Sequence, residues 1–203
     1  WVKPGLYEMQ VEALLDAVAD RIAAGGNPIV EIMIPLTVSG NELAGARKWI
    51  EAVLQHHPDV ASVKIGTMVE TPRAALVADE LAHHADFFSF GTNDLTQLTF
   101  GFSRDDIENR IMNLYLEKEL LEANPFQHVD ANAVIELVRM GIERGRSIKP
   151  DLPIGVCGEH GGDPASIELL VAAGVDYVSC SPPRVPVARL AAAHIAIRAR
   201  GDR

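Results

Sequence analysis

Short runs of β-branched and aromatic residues alternate along this chain with longer segments of helical period, the pattern of βα units around a parallel sheet. Val11, Leu14, Leu15, Val18 and Ile22 share one helical stripe within residues 5–24. Ile29 to Ile34 reads as a strand closed by Pro35, and Ser39 caps a helix running to about His56. Val63 to Val69 is a second strand. Thr71 as N-cap and Pro72 in the first helical position open a helix to about His84. Phe87 to Phe90 is a third strand, ended by Gly91, and residues 101–150 form a long helical connection. Ile154 to Cys157 is a fourth strand, followed by a Gly-rich turn and a helix from about Pro164 to Ala173. Val175 to Cys180 is a fifth strand, and Pro182, Pro183 and Pro186 lead into a last helix ending near Arg200.

The expected class is therefore α/β, with five strands each followed by a helix. A complete (β/α)8 barrel has eight strands and about 250 residues, and five strands cannot close at that geometry. Two arrangements fit: the later part of a barrel, about five βα units, or an open doubly wound sheet. The chain opens at Trp1 without a methionine, so we expect the natural N-terminus and the first barrel strands upstream. Residues 1–203 then form one domain, the C-terminal part of a barrel.

In parallel α/β folds the reactive side chains gather at the carboxyl ends of the strands. The second strand ends in Glu70, within GTMVETP. The third ends in GTNDLTQ, presenting Thr92, Asn93 and Asp94. The fourth ends in CGEHGG, presenting Cys157, Glu159 and His160. On neighbouring strands about 4.8 Å apart, Glu70 and Asp94 can hold one ion. Two carboxylates suit Mg²⁺ or Mn²⁺ better than Zn²⁺, which prefers nitrogen and sulfur. Such an ion polarises a carbonyl and stabilises an enolate. Cys157 can serve as a proton donor or as a nucleophile.

Each residue also has a plainer reading. Glu70 can simply favour a helix dipole, Asn93 and Asp94 can be turn residues, Cys157 a small buried hydrophobe, and His160 a turn residue. Cys180 reads as core. The pairs His56–His57 and His83–His84 fall at helix ends and receive no site role, and Trp49 and Met112 read as packing residues.

Composition narrows the partners. The formal net charge of −10 argues against nucleic acid and against an anionic membrane surface, while a local metal ion still permits an anionic substrate. No apolar run approaches the ~20 residues of a membrane span. The two cysteines lack metal-type spacing, and a cytoplasmic, reducing location is the expectation.

Four stretches, KIGTMVETPRAALVADELA, DFFSFGTNDLTQLTFGFSRDD, GVCGEHGGDPASIELL and VDYVSCSPPRVPVARLAAA, closely resemble the C-terminal domain of the pyruvate, phosphate dikinase family. The order and spacing of the four are kept over nearly the whole chain. The wider group includes phosphoenolpyruvate synthase and enzyme I of the sugar phosphotransferase system. Both share something like GTNDLTQ, but the His-Gly-Gly and the YVSCSPPRVPVARLAAA segment look like the dikinase.

The resemblance implies a phosphotransferase in which a phosphohistidine on a separate swivelling domain exchanges its phosphoryl group with pyruvate and phosphoenolpyruvate. It assigns Glu70 and Asp94 to the metal and Cys157 to general acid/base work. It places Gly91, Thr92 and Asn93, with Glu70 and Asp94, against the substrate. It also implies upstream phosphohistidine and ATP-grasp domains, early-strand arginines that grip the anion, and a homodimer. Arg73 and Arg104 lie near strand ends, with nothing in the sequence to make them substitutes for those arginines. Alone, the chain is expected to be inactive and to self-associate through its unpaired edge strands. The rival readings are an Mg²⁺-dependent enolate-forming lyase or mutase on the same barrel, and a non-catalytic dimerisation module.

Overall fold

A computed structural model describes residues 1–60 and 63–201. A helix, α1 (Leu6–Ala23), precedes strand β1 (Val30–Ile34), helix α2 (Gly40–Leu54) and strand β2 (Val63–Val69). Helices α3 (Pro72–Leu76) and α4 (Ala78–Ala82) lead to β3 (Phe88–Gly91). Then come α5 (Thr92–Phe100), α6 (Arg104–Arg110), α7 (Met112–Glu117) and α8 (Val134–Ile148). Strand β4 (Ile154–Cys157), a 3₁₀ turn (Glu159–Gly162), α9 (Pro164–Ala173), β5 (Tyr177–Val178), a second 3₁₀ turn (Pro182–Arg184) and α10 (Val185–Gly201) complete the order. Among the described residues no helix is long and apolar enough to cross a membrane.

The five strands are parallel and lie in the order β1-β2-β3-β4-β5. The order never reverses, so the sheet has no topological switch point and is not the doubly wound alternative. Its two faces differ because side chains alternate along each strand. Ile32, Ile34, Ile65, Val69, Phe88, Phe90, Ile154, Val156 and Val178 pack into the helices. The other face carries Glu31, Lys64, Met68, Ser89, Gly155 and Tyr177, with Glu31 paired to Lys64 at 3.3 Å across β1 and β2.

Local chemistry explains the elements. Ser39 accepts from Glu42 N at 3.2 Å and Thr71 from Ala74 N at 3.0 Å, so both expected N-caps form. Helix α8 lies close on β3 because Gly141 and Gly145, four residues apart, share one face. A Cβ at Gly141 would stand 2.8 Å from Phe90, and one at Gly145 2.8 Å from Phe88. One device ties strand starts together twice. Asp86, before β3, accepts from Ile65 N of β2 at 2.9 Å and from Arg47 of α2. Asp176, before β5, accepts from Ile154 N of β4 at 2.7 Å and from Arg146 of α8.

Several expected boundaries shift. Val77, with φ −121° and ψ 29°, breaks the helix expected after Pro72, and Arg144 of α8 donates to the Leu76 carbonyl released there. The long connection after β3 begins at once with α5 and is four helices, not one continuous run. The expected strand Val175 to Cys180 is only Tyr177–Val178, although backbone bonds from Asp176 N to Ile154 O and from Ser179 N to Val156 O flank it. Within the α1 stripe Val11, Leu15 and Val18 are buried, while Leu14 is exposed on the wall of a cleft beside β1. Met112 is buried as a packing residue. His57, expected at a helix end with no site role, is buried just beyond α2 with its Nε2 3.3 Å from Glu12 of α1.

Candidate active site at the carboxyl ends of the strands

Three site residues fall in one row on the helix-free face. Gly91 of β3 pairs in register with Cys157 of β4, and Val69 pairs with Phe90. Continuing that register by one residue sets Glu70 opposite Gly91. The close approach is direct: a Cβ on Gly91 would lie 2.6 Å from Glu70 Oε2 and 2.7 Å from Met68 Sδ. The row therefore requires glycine at its centre, because the Glu70 carboxylate occupies the place of a side chain.

Glu70 is only 4% exposed. Its Oε1 accepts from the backbone N–H of Leu36, just beyond β1, at 2.7 Å. Leu36 adopts φ 51°, left-handed backbone that a leucine rarely takes. Burial pushes the Glu70 carboxyl above the ordinary carboxylate range. The Leu36 N–H opposes that shift, and the charge and hydrogen bonding of nearby Asp94 add to it.

Asp94 lies in the first turn of α5, where its charge suits the helix dipole, and Gln97 Nε2 donates to its Oδ1 at 3.2 Å. Neither Glu70 nor Asp94 enters an ion pair among the described residues. A buried carboxylate repelled by a second one, with no protein cation against either, fits a divalent ion with oxygen ligands.

Cys157 ends β4 half-buried, its thiol 3.7 Å from the Phe90 carbonyl. Burial raises its pKa, a hydrogen bond with Ser89 opposes that, and the charges of Glu70 and Asp94 raise it further. The sulfur is therefore a protonated thiol at neutral pH. Gly158, at φ 106°, then turns the chain against α5: a Cβ there would be 3.2 Å from Asn93 Oδ1 and 3.3 Å from Thr92 Oγ1. Glu70, Gly91, Thr92, Asn93, Asp94 and Cys157 thus converge, as their strand-end positions predict.

Other candidates go elsewhere. Glu159 turns aside to Arg184 at 3.5 Å. Arg73 donates to the Val38 carbonyl. Arg104 pairs with Glu108 at 3.0 Å and lies over the Phe126 ring. Cys180 packs at the margin of the small cluster of Ile167, Ala188 and Ala191.

Sequence reasoning missed two contributors. His160 is no mere turn residue; it is wholly buried and bonded to Thr92 and to the Pro125 carbonyl. Its position in a Gly-rich turn after a strand-end cysteine is the only signal the sequence carries. Leu36 acts through its backbone, which leaves no signal.

The family described as PEP-utilising enzyme, PEP-binding domain matches residues 2–197. Pyruvate, phosphate dikinase 1, chloroplastic, from Arabidopsis thaliana is 49% identical over 198 residues, which is 96% of this chain and 20% of that protein. The chloroplastic dikinase of Mesembryanthemum crystallinum is 48% identical over 95% of this chain and 20% of its own length. Pyruvate, phosphate dikinase 2 of Zea mays is 48% identical over 96% of this chain and 22% of its own. The chain spans about a fifth of the length of these relatives. Matched almost from end to end, this chain belongs to the PEP-utilising enzyme family, where it corresponds to the C-terminal PEP-binding domain of the pyruvate, phosphate dikinases.

Proposed function

We propose that this chain is the pyruvate- and phosphoenolpyruvate-binding part of a dikinase-type phosphotransferase, and that its sheet is the later part of a (β/α)8 barrel. The observation that carries the functional reading is the row Glu70–Gly91–Cys157, with Asp94 beside it, on the helix-free face of the sheet. The unreversed strand order and the small and polar residues of that face support the barrel. So does the cleft of about 500 Å³ along β1, whose lining includes Trp1, Leu14, Met33, Leu36 and Trp49; an upstream strand and helix would occupy such a cleft.

Glu70 and Asp94 would hold Mg²⁺ or Mn²⁺, which when bound supplies charge stabilisation at the substrate's carbonyl oxygen. The protein's own groups do the rest. The Leu36 N–H fixes the Glu70 carboxylate, and Gly91 leaves it room. Asn93 lines the substrate's side of the turn, while the fully buried Thr92 side chain supports that turn from behind. Cys157 carries the proton. Toward pyruvate, the phosphoryl group leaves the enol oxygen for a histidine on another domain. The methylene carbon of the enolate then takes the Sγ proton, and a thiolate remains. Toward phosphoenolpyruvate, the thiolate removes a methyl proton and the enolate oxygen attacks the phosphohistidine phosphorus. A raised thiol pKa suits this cycle, since the acid form predominates at rest and the thiolate is a competent base.

The phosphohistidine, the nucleotide site and the anion-gripping arginines belong to other parts of the enzyme in this reading, so the chain alone would have no dikinase activity. Homodimerisation fits the exposed Val187, Leu190 and Ile197 of α10. The free thiols of Cys157 and Cys180 suit a reducing compartment such as the cytoplasm. The decisive test is C157A in the complete enzyme. Exchange of pyruvate methyl protons with solvent should fall by about 10²–10⁴-fold, while nucleotide-driven phosphorylation of the histidine persists. Exchange at the wild-type rate would remove Cys157 from its role.

A further inference from the structure

The strand-end row explains Glu70, Gly91 and Cys157, but not why a fully buried imidazole stands behind them. We infer that His160 is a positioning residue that locks the Gly91–Asp94 turn to the Cys157 turn; this rests on the functional reading above. His160 Nδ1 is 2.8 Å from Thr92 Oγ1, and its Nε2 is 2.9 Å from the Pro125 carbonyl. A backbone carbonyl only accepts, so Nε2 carries the proton. Burial holds the ring below the usual histidine pKa, against the opposing pull of the Pro125 carbonyl. The ring is therefore neutral and Nδ1 is an acceptor. The Thr92 hydroxyl donates to it. That single proton cannot also serve the Cys157 carbonyl, the longer contact at 3.3 Å.

Tautomer and hydroxyl direction are thus both set, and three segments meet on one ring. Thr92 belongs to the first turn of α5, which has no side-chain N-cap. Its side chain, instead of capping, is held by His160. Two residues further along that turn is Asp94. His160 itself lies three residues after Cys157. Pro125 belongs to the loop before α8, and that loop is anchored in turn: Val129 N donates to Ser166 Oγ at 2.9 Å, and Ser166 Oγ donates to Asp163 Oδ2 at 2.5 Å. An apolar residue of the same size would fill the space and leave Thr92 Oγ1 and Pro125 O without these partners. The ring therefore ties the turn that carries Asp94 to the turn that follows Cys157, in addition to the β3–β4 pairing at Gly91 and Cys157.

The test uses the complete enzyme with Mn²⁺, following kcat and KM for pyruvate methyl-proton exchange and, separately, nucleotide-driven histidine phosphorylation. H160Q retains a donor toward Pro125 and loses the acceptor at the Nδ1 position. Its exchange kcat should fall by about 10- to 100-fold, with histidine phosphorylation unchanged. H160N, which restores an acceptor at the Nδ1 position, should recover part of the rate. A folded H160Q exchanging within about twofold of wild type overturns the inference. Should H160Q fail to fold, T92V removes the same bond from the other side. It should show the same loss and T92S should restore it; T92V within about twofold of wild type overturns the inference equally. A wild-type enzyme that exchanges no pyruvate protons, or C157A exchanging at the wild-type rate, would instead defeat the functional reading.

Discussion

Gly91→Ala gives the sharpest test of the strand-end row. The backbone at Gly91, φ −88° and ψ 83°, is open to alanine, so any effect is steric. The new Cβ would meet Glu70 Oε2 at 2.6 Å, Met68 Sδ at 2.7 Å and Glu70 Cβ at 2.8 Å, where ordinary contact begins at 3.4 Å. Met68 ends in a flexible thioether and can swing aside. Glu70 cannot move as freely, because it is buried and its other oxygen is bonded to Leu36 N. The carboxylate must shift by roughly 1 Å, and a misplacement of that size costs on the order of 100-fold in rate. Overpacking should also destabilise the fold by about 1–3 kcal/mol. In the complete enzyme, Mn²⁺ affinity followed by electron paramagnetic resonance should weaken in G91A, and pyruvate proton exchange should fall about 100-fold. Thermal unfolding reports the stability change separately. A G91A enzyme that binds Mn²⁺ and exchanges protons like wild type would show that Glu70 does not act from this position.

Two further substitutions separate stability from function. Burial first, then the charge and hydrogen bonding of Asp94, raise the folded pKa of Glu70, so the wild-type fold loses stability as pH rises from the unfolded carboxyl pKa through the raised one. Metal-free E70Q should therefore unfold at a higher temperature than wild type at neutral pH, should lose that advantage in acid, and should bind Mn²⁺ poorly; an equal or lower neutral-pH Tm would refute the cost of the buried charge beside Asp94. Asp163 caps α9 through Ser166 N at 2.9 Å and also accepts from Ser166 Oγ, so D163A should cost about 1–2 kcal/mol, or roughly 2–8 °C in Tm. Burial would raise the Asp163 pKa, but hydrogen bonds from Ser166 and His128 overcome it and hold the group low. Its stabilisation is complete above the unfolded aspartate pKa and fades as pH falls through the lowered one, so the D163A deficit should shrink in acid.

The strands that bury one face in the helices were the easiest to read. Val63–Val69 and Ile154–Cys157 stand where their β-branched runs end, and Ser39 and Thr71 cap as their side chains allow. The placement of the strand ends was legible for the same reason: Glu70 and Cys157 close apolar runs, and Asp94 follows shortly after another, at the end where a parallel sheet gathers polar side chains. What escaped was set by contacts distant in sequence. Arg146 and Ile154 N hold the Asp176 side chain before β5, and Arg144 reaches the Leu76 carbonyl, 68 residues away, beside the break at Val77. The helix starting at Thr92 was obscured by its Thr-Asn-Asp opening, which suits a turn equally well. His160 shows its partners only once Pro125 and Thr92 are brought beside it.

Leu36 separates a position's usefulness from its side chain. The atom that meets Glu70 is an amide nitrogen, while the leucine side chain points outward on a residue that is 57% exposed. Any residue except proline can supply that N–H, and glycine or asparagine would accept the left-handed backbone with less strain. Variation at this site should therefore be broad in chemistry yet closed to proline. In the chain by itself, where the side chain only lines the open cleft beside β1, substitution tolerance there would follow backbone preference more than side-chain identity. A survey that ranks functional positions by what their side chains do would pass over Leu36, although the orientation of the carboxylate depends on it.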